Sequence, residues 1–297
     1  MKISVLYGGD SAERTVSLSS GERVCDALRE RGHIVNGFDL CKMVLSPEMC
    51  RVLRDSDAVF LALHGGAGED GRFQRALAKE GIHHYSGSGP DASALAMRKD
   101  AAKARVAEFG IPVARGKRIG RGDRLPKDIG LPVVLKPIAG GSSVGLKILS
   151  SAAEIAELCA EEELLCEEFL SGREYSVSIL EGKALPPVEI RPRNGVYDYH
   201  HKYTPGATEE ICPALLSPLA SEYLKTLARA AFVALGLRDY ARIDFRENAA
   251  GMPRFLEANS LPGLTPTSLL PLAAEVAGIS FPILCERIAA LAAERKC

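Results

Sequence analysis

The sequence predicts an α/β fold, because patterns typical of strands and of helices alternate from the first residues onward. Residues 3–6 form a short apolar run, as a strand does, and residues 16–31 carry apolar side chains at helical spacing before Gly32. Residues 59–63 form a second apolar run that ends at a glycine-rich segment. These features indicate a parallel sheet, in which ligands bind at the carboxyl ends of the strands. We expect this amino-terminal lobe to span residues 1–86.

Two further lobes follow this boundary. We expect residues 87–182 to form a small central lobe, which begins with one helix capped by Asp91 and ending at Phe109. Strand-like runs then recur within it: residues 131–136, 164–169 and 174–180. Residues 183–297 would form the C-terminal lobe, so the expected architecture has three lobes.

The C-terminal lobe contains the longest segment without strand or helix periodicity, residues 191–216. This segment is rich in Tyr, His, Gly and Pro, and long irregular segments in compact proteins usually form lids or binding loops. We therefore expect a lid that closes over the substrates, the alternative being a static loop packed on its own tyrosines. A helix that ends at Gly236 and a last helix capped by Ser280 flank the remaining strands.

The composition is that of an ordinary globular protein and argues against several classes of function. Among 297 residues, 46% are hydrophobic and 25% are charged, which is enough to bury a core in two or three compact units. The net charge of -1 provides no field that would attract nucleic acid or a membrane surface. No apolar run reaches membrane-spanning length, the first residues do not form a signal peptide, and the eight cysteines lack a C-x-x-C pair. We expect a cytoplasmic protein with reduced thiols.

Near its carboxyl end the sequence predicts a β-hairpin with these strands: residues 241–246 and 254–259. Side chains alternate along a strand, so Arg242 and Asp244 share one face, as do Glu257 and Asn259. If the two faces coincide, two carboxylates and a carboxamide converge beside an arginine. Oxygen ligands that leave coordination positions open suit Mg²⁺, which completes its shell with water and nucleotide phosphates. The alternative is a solvated strand face with ordinary ion pairs, in which Arg242 bridges a carboxylate.

A segment rich in glycine and serine, residues 140–145, follows the predicted strand that ends at Lys136. Glycines let backbone amides approach phosphate oxygens, serine hydroxyls donate hydrogen bonds, and a lysine adds a compact positive charge. The segment lacks the pattern of a P-loop, and on its own it is equally typical of a flexible turn. A lysine at the end of an apolar strand needs a partner, however, and an ATP phosphate is one.

Two polar positions at the ends of the amino-terminal strands have open alternatives. Asp10 or Ser11 could cap the first helix, where Glu13 would lie favourably at the positive end of the helix. Glu13 would alternatively be a pocket carboxylate that faces a substrate ammonium. His64, which precedes a glycine-rich segment, is either a structural residue or a catalytic one.

Short motifs lie in a fixed order along essentially the whole chain: Gly8-Gly9-x-Ser11-Ala12-Glu13-Arg14, His64-Gly65, Gly68-Glu69-Asp70-Gly71, Gly87-Ser88-Gly89, Gly141-Ser142-Ser143-Val144-Gly145, Tyr197-Asp198-Tyr199, Lys202-Tyr203, Cys212-Pro213-Ala214, Arg242-Ile243-Asp244 and Glu257-Ala258-Asn259. Each motif is weak by itself, but their joint occurrence in order is specific. By these motifs the chain resembles the D-alanine:D-alanine ligase family. The resemblance implies the ATP-grasp fold, in which two lobes hold ATP between them and the amino-terminal lobe helps bind substrate.

The resemblance also implies a reaction. The carboxylate of one D-alanine attacks the γ-phosphate of ATP, and the amine of a second D-alanine then displaces phosphate from the acyl phosphate. This chemistry needs positioning and charge neutralisation more than a nucleophilic side chain. It implies ATP with two Mg²⁺ (or Mn²⁺) ions, two D-alanine molecules, a homodimer, and a dipeptide for peptidoglycan synthesis.

The family pattern assigns roles to single residues of this chain. The ATP-binding residues would be Lys99, Lys136, Ser143 and Lys202 at the phosphates, Glu167, Glu168, Phe169 and Leu170 at adenine, and Glu174 at the ribose. The metal ligands would be Asp244, Glu257 and Asn259. The residues around the amino acids would be Glu13, Ser142 and Tyr203 at the first D-alanine, Arg242 and the Gly263 N–H at the oxyanion, and Ser268 with the Leu269 N–H at the second carboxylate.

Two alternative functions remain open. A related ligase could use D-lactate or D-serine as the second substrate, although Tyr203 favours the dipeptide maker. A non-catalytic ATP-binding regulator would be expected to lack part of the metal or lysine set, and this chain lacks none of it. The chain departs from the common family pattern at Gly140, at Gly66-Ala67 and at Ser260, which affects details of the lid contacts rather than the reaction.

Overall fold

Three separate sheets organise the chain in a computed structural model, which describes residues 1–120, 123, 129–141, 145–151, 154, 163–192 and 208–296. The described strands are β1 (Lys2–Gly8), β2 (Ile34–Leu40), β3 (Ala58–Leu63), β4 (Gly116–Ile119), β5 (Val133–Pro137), β6 (Lys147–Leu149), β7 (Leu164–Glu168), β8 (Glu174–Leu180), β9 (Lys183–Ala184), β10 (Val188–Pro192), β11 (Thr208–Ile211), β12 (Tyr240–Glu247) and β13 (Pro253–Asn259). The described helices are α1 (Arg14–Glu30), α2 (Pro47–Asp55), α3 (Arg72–Lys79), α4 (Pro90–Met97), α5 (Lys99–Glu108), α6 (Pro218–Ala234), α7 (Leu269–Val276) and α8 (Phe281–Ala293).

The amino-terminal sheet is parallel, as the sequence predicts, with strand order β2-β1-β3. β3 is buried along its whole length, because helices α1 and α8 pack against it. The last helix of the chain therefore completes the core of the first lobe. The carboxyl ends of β1 and β3 lead into the segments that carry Glu13 and His64, so the topology brings these two residues to one edge of the sheet.

The central sheet is antiparallel, with strand order β4-β7-β5-β6. Its apolar face is a small core that includes Ile119, Val133 and Cys166. β5 carries Lys136 and β7 carries Glu167, which places a charged pair on neighbouring strands.

The C-terminal sheet has the order β11-β10-β8-β12-β13, with β9 beside β8. The expectation that residues 174–180 complete the central lobe is wrong, because β8 pairs with β10 and β12 in this sheet. The alternation of β8 explains the difference: Tyr175, Val177 and Ile179 pack into the core shared with α5 and α6. Adjacency to β7 in sequence favoured the central lobe, and this long-range packing overrides it.

The expectation of one helix from Asp91 to Phe109 is also wrong. Two helices, α4 and α5, are separated by Arg98, whose backbone is extended. Arg98 forms a β-bridge with Ala139, and the Lys99 N–H donates a hydrogen bond to the Ile138 carbonyl at 2.9 Å. This contact with the central lobe interrupts the helix and places Lys99 in the first turn of α5. Asp91 is not the cap, since Gly89 holds that position.

The expected irregular segment 191–216 is partly regular. Its first residues end β10, and β11 pairs antiparallel with β10. Residues 193–207 lie outside the described part of the chain, so the lid stays a prediction. The helix α6 ends before Gly236 as predicted. Ser280 is the N-cap residue of α8, but its side chain makes no capping hydrogen bond.

Within the described ranges, no single helix has the length and apolar composition to cross a membrane. Helices α7 and α8 meet that test only as a pair, with a bend of 106° between them. Both contribute buried residues to the core beneath the amino-terminal sheet.

Candidate functional site

The β12–β13 hairpin brings the predicted polar residues together. Arg242 lies opposite Asn259 and Asp244 lies opposite Glu257, so all four share one face, as the alternation predicts. The register shifts after Asp244, where β13 has an extra residue. The other face carries apolar side chains that are buried in the core: Ile243, Phe245, Phe255 and Ala258. Burial of this apolar face fixes which way the polar face points.

Two cavities meet at this hairpin. The first, of about 940 Å³, faces the amino-terminal lobe and is here called the N-lobe cavity; among its lining residues are Glu13, His64, Glu69, Arg242, Gly263 and Ser268. The second, of about 920 Å³, faces the central sheet and is here called the central-lobe cavity; among its lining residues are Lys136, Glu168, Phe169, Leu170, Glu174 and Asp244. Both cavities are lined by Lys99, Gly140, Gly141 and Glu257. A group held at this shared wall is therefore within reach of molecules in both cavities.

Asp244 forms a partly buried ion pair with Arg242. The Arg242 Nε donates to Asp244 Oδ1 at 3.0 Å and its Nη2 donates to Oδ2 at 3.0 Å, a bidentate arrangement. The Ser176 hydroxyl donates a further hydrogen bond to Asp244 Oδ1 at 2.7 Å. The bridging alternative for Arg242 is thus present in the structure, and it fixes the guanidinium at the edge of the N-lobe cavity.

Lys99 spans the shared wall. Its Nζ donates to the Gly140 carbonyl at 2.5 Å and lies 3.4 Å from Glu257 Oε2. Asn259 Oδ1 accepts a hydrogen bond from the Leu261 N–H at 3.1 Å. The hairpin therefore already orders two carboxylates and a carboxamide next to cationic groups.

The donor set fits Mg²⁺ chemically. Within the described residues no cluster of three or more His, Cys, Asp or Glu side chains has the geometry of a metal site. The predicted set consists instead of two carboxylates, Asp244 and Glu257, with the Asn259 carboxamide. Mg²⁺ binds through one or two carboxylates and completes its shell with water and phosphate oxygens, so this sparse oxygen set suits it.

A buried cluster of three charges underlies the central-lobe cavity. Lys136 Nζ lies 2.6 Å from Glu167 Oε2, and Lys103 from α5 contacts Glu167 Oε1. Burial raises the pKa of Glu167, but Lys103 and Lys136 outweigh it and hold that pKa below its ordinary value. Burial, and next the charge of Lys136, lowers the pKa of Lys103 to about 8. The cluster keeps a carboxylate charged in a region almost without solvent.

Lys103 is a residue that sequence reasoning missed. It follows Lys99 by one helical turn, so the two lysines lie on the same side of α5. The spacing of the two lysines is visible in the sequence and could have drawn attention to Lys103. Its ion-pair partner Glu167 lies on a different lobe and cannot be identified from a local pattern.

The far end of the central-lobe cavity holds the residues predicted to bind adenine and ribose. Glu168 accepts hydrogen bonds from the backbone and side chain of Arg115 at 3.0 and 2.8 Å. Glu174 Oε2 accepts from Arg246 Nη1 at 3.2 Å, and the Arg246 guanidinium lies 5.5 Å from the centroid of the Phe169 ring. The side chains combine an aromatic face with fixed carboxylates, which suits a nucleoside.

Glu13 lies where the two amino-terminal loops meet. The Ser11 hydroxyl accepts from the Glu13 N–H at 3.1 Å and donates to the His64 carbonyl at 2.6 Å. The expected cap at Asp10 or Ser11 is wrong: Glu13 is the N-cap residue of α1 and its side chain makes no capping hydrogen bond, while the Ser11 hydroxyl orders the Glu13 backbone. A Cβ atom at Gly65 would come within 2.6 Å of Glu13 Oε2, so glycine is needed there for the carboxylate to reach its position. Glu13 lines the N-lobe cavity, in agreement with the pocket alternative.

His64 is buried and hydrogen-bonded. Its Nε2 lies 3.0 Å from the Ser20 hydroxyl oxygen, and its Nδ1 lies 3.7 Å from Glu69 Oε1. Both His64 and Glu69 also line the N-lobe cavity. The structural alternative is thus satisfied, while the ring still borders the site.

Helix α7 begins at the N-lobe cavity. The Ser268 hydroxyl accepts from the Thr265 N–H at 3.0 Å and lies 2.8 Å from the Thr265 hydroxyl oxygen. Gly263 also lines the cavity, and a Cβ atom there would come within 2.6 Å of the Ser268 hydroxyl. The first amides of a helix have no partner within the helix and favour anions. Ser268 and Leu269 therefore present a site suited to a carboxylate.

Four of the predicted site residues lie outside the described residues: Ser142, Ser143, Lys202 and Tyr203. Their roles stay predictions. The other predicted site residues line one or both cavities.

Comparisons with known proteins agree with the resemblance seen in the sequence. The family model described as "D-ala D-ala ligase C-terminus" matches residues 107–290. The chain is 43% identical to a D-alanine–D-alanine ligase of Anaeromyxobacter over 97% of its own length and 95% of the relative, and 43% identical to that of Aquifex aeolicus over 95% and 97%.

Solved structures agree as well. A D-alanine–D-alanine ligase of Bacillus anthracis complexed with ATP superposes with a TM-score of 0.85 at 30% identity, covering 100% of this chain and 98% of the other. The VanG D-Ala:D-Ser ligase of Enterococcus faecalis has a TM-score of 0.84 at 26% identity, covering 98% and 99%. These matches confirm the predicted α/β ATP-grasp fold. The chain belongs to the D-alanine–D-alanine ligase family.

Proposed function

We propose that this protein joins two D-alanine molecules to D-alanyl-D-alanine and converts ATP to ADP and phosphate. The observation that carries the proposal is the wall shared by two cavities at the β12–β13 hairpin. A nucleotide in the central-lobe cavity and an amino acid in the N-lobe cavity would meet there. The ATP-bound relative and the many relatives named as D-alanine–D-alanine ligases support the proposed reaction.

The central-lobe cavity would bind ATP. Lys99 and Lys136 would contact the phosphates, together with Ser143 and Lys202, and residues 167–170 would hold adenine. Glu174, ordered by Arg246, would accept the ribose hydroxyls. The buried position of Glu167 supports a main-chain contribution of that residue to adenine binding, since both carboxylate oxygens already face lysines.

The metal ligands would be Asp244, Glu257 and Asn259, which we propose to hold two Mg²⁺ ions. When bound, Mg²⁺ neutralises phosphate charge and orients the oxygens of the phosphoryl group. The protein contributes the shared wall, where Glu257 borders both cavities.

The N-lobe cavity would bind the amino acids. Glu13, with Ser142 and Tyr203, would orient the first D-alanine so that its carboxylate faces the γ-phosphate. Attack by a carboxylate oxygen on the γ-phosphorus forms an acyl phosphate and breaks the bond to the leaving ADP. The amine of the second D-alanine, held through its carboxylate by Ser268 and the Leu269 N–H, would then attack the acyl carbon and release phosphate. Arg242 and the Gly263 N–H would stabilise the tetrahedral oxyanion of that step.

We also propose that the chain acts as three lobes close to the expected bounds 1–86, 87–182 and 183–297, except that β8 and α5 belong to the C-terminal lobe. The protein would act in the cytoplasm as a homodimer, without nucleic acid or membrane partners. Its dipeptide would serve as a precursor of peptidoglycan.

Product analysis by mass spectrometry tests the proposal. Purified protein with ATP, Mg²⁺ and an equimolar mixture of D-alanine, D-lactate and D-serine should form D-alanyl-D-alanine as the main product. L-Alanine offered alone should give none. A predominance of D-alanyl-D-serine would instead support the specificity named for the VanG relative. ATP turnover that needs no D-amino acid would contradict both.

A further inference from the structure

We propose that Lys103 is a positioning residue of the nucleotide site: it neutralises Glu167 from the protein interior, so that Lys136 is free to leave Glu167 and contact an ATP phosphate. This inference rests on the proposed function and deepens it. It assigns a role to a residue that does not itself reach the ligand.

Each oxygen of the Glu167 carboxylate has its own lysine. Lys136 of β5 contacts Oε2, and Lys103 of α5 contacts Oε1. The side chains of Lys103 and Glu167 are only 7% and 3% exposed, and that of Lys136 is 12% exposed. The two ion pairs therefore use separate atoms of one carboxylate, and one pair can open while the other stays closed.

Only part of this cluster borders the central-lobe cavity. Among the described residues, Lys136 and Glu167 line the central-lobe cavity and Lys103 does not. Lys103 is buried on the side of Glu167 that faces the protein interior. Any phosphate in the cavity would meet Lys136 and not Lys103. Lys103 must therefore act through Glu167.

Charge balance explains why the second lysine is needed. Removing one partner from a buried ion pair leaves an uncompensated charge and is strongly unfavourable. If Lys136 were the sole counter-charge of Glu167, its movement to a phosphate would leave that carboxylate unpaired. Lys103 supplies the remaining counter-charge. The movement also relieves Lys103, because the charge of Lys136 is one of the causes that lower its pKa.

The test is nucleotide binding by charge-removing variants, measured by titration calorimetry with AMP-PNP and Mg²⁺ and, separately, with adenosine. Lys103→Met should weaken AMP-PNP binding by about tenfold or more, and raise the KM for ATP similarly, because Lys136 stays with Glu167. Adenosine, which has no phosphate, should bind as it does to the wild-type protein. The matched control is Lys79→Met, because Lys79 is an exposed lysine at the end of α3. It should change neither AMP-PNP binding nor adenosine binding.

The double variant Lys103→Met with Glu167→Gln removes both the interior lysine and the carboxylate that needs it. It leaves no carboxylate at this position to hold Lys136, so it should bind AMP-PNP more tightly than Lys103→Met alone. A double variant no tighter than the single one, or adenosine binding that weakens in parallel with AMP-PNP, would overturn the proposal in favour of a packing role. The proposed function fails separately, if the protein shows this nucleotide pattern and yet forms no dipeptide.

Discussion

The two cavities that meet at the hairpin handle charge in different ways. Around the central-lobe cavity, carboxylates are held in ion pairs, as Glu167 is with its two lysines and Glu174 with Arg246. Around the N-lobe cavity, hydroxyls and backbone groups order much of the site, as Ser11 does at the His64 carbonyl and Ser268 does at Thr265, and Arg242 is its ion-paired exception.

This difference matches two kinds of ligand. A nucleoside triphosphate carries several negative charges. Lysine side chains that are held by carboxylates can exchange those partners for its phosphates. An amino acid is a zwitterion without net charge. It needs an anionic group at its ammonium and a cationic group at its carboxylate, both in fixed positions. Lys99 and Glu257, which line both cavities, stand at the boundary between the two arrangements.

The largest effect is expected at that boundary. Glu257→Gln should lower the turnover number by about 10³-fold, or about 4 kcal/mol, because under the proposed function it would remove a charged metal ligand beside phosphoryl transfer. The fold should persist, since Glu257 is on the polar face of β13. A coupled ADP-release assay measures the turnover number, and circular dichroism measures whether the fold persists. Glu222→Gln, a surface carboxylate on α6, should behave as wild type. Near-normal turnover at ordinary Mg²⁺ would show that Glu257 is not a ligand.

Lys136→Met tests the ion-paired cavity. A hydrogen bond to a charged group contributes about 1.5–3 kcal/mol, so we expect the KM for ATP to rise about 10- to 100-fold. The KM for D-alanine should stay close to its wild-type value. Lys136 lines the central-lobe cavity and not the N-lobe cavity, where D-alanine would bind. Steady-state kinetics with each substrate varied in turn gives both values. Equal changes in the two KM values would remove the distinction between the cavities.

Glu13→Gln is the converse test. Under the proposed function, Glu13 would face the substrate ammonium, so loss of its charge should raise the KM for D-alanine by about tenfold. AMP-PNP binding should be unaffected, because Glu13 lies in the N-lobe cavity. The same calorimetric titration that serves for nucleotide binding measures this. Weaker AMP-PNP binding would mean that Glu13 supports the fold around both cavities.

The smallest effect concerns a carboxyl that contrasts with Glu167. Burial raises the pKa of Glu210 on β11 to about 7 from its ordinary 4.5, and Arg242 only partly opposes this shift. The folded state therefore binds more protons than the unfolded state between these pH values, so the contribution of Glu210 to the free energy of unfolding falls as pH rises through them. Glu210→Gln should be more stable than wild type above pH 7 and equal to it below pH 4.5.

Urea unfolding of Glu210→Gln and wild type at pH 5 and pH 8 checks this prediction. Glu222→Gln again serves as the control, because its carboxyl is largely exposed. Identical changes in stability with pH for the Glu210 variant and the wild type would show that Glu210 is solvated like an ordinary glutamate.

Local patterns predicted the parts of the site that depend on local geometry. Strand alternation alone brought Arg242, Asp244, Glu257 and Asn259 to one face, because the apolar residues between them must enter the core. The resemblance to the family supplied the rest of the assignments, which periodicity could not.

The features that the sequence did not predict all depend on contacts between distant parts of the chain. The break at Arg98 comes from its bridge to Ala139, and the placement of β8 comes from pairing with β12. The ion pair of Lys103 joins α5 to β7 across two lobes. None of these contacts can be predicted from the residue pattern of a single helix or strand.

The central claim is that the carboxylate of a D-alanine in the N-lobe cavity attacks ATP in the central-lobe cavity across the shared wall. D-Alanine labelled with ¹⁸O in its carboxylate tests this most directly, with the released phosphate analysed by mass spectrometry. Attack on the γ-phosphate forms a new carboxylate oxygen–phosphorus bond, and displacement by the amine breaks the carbon–oxygen bond. The account therefore predicts one ¹⁸O atom in each phosphate for each dipeptide formed. Unlabelled phosphate released together with dipeptide would contradict it.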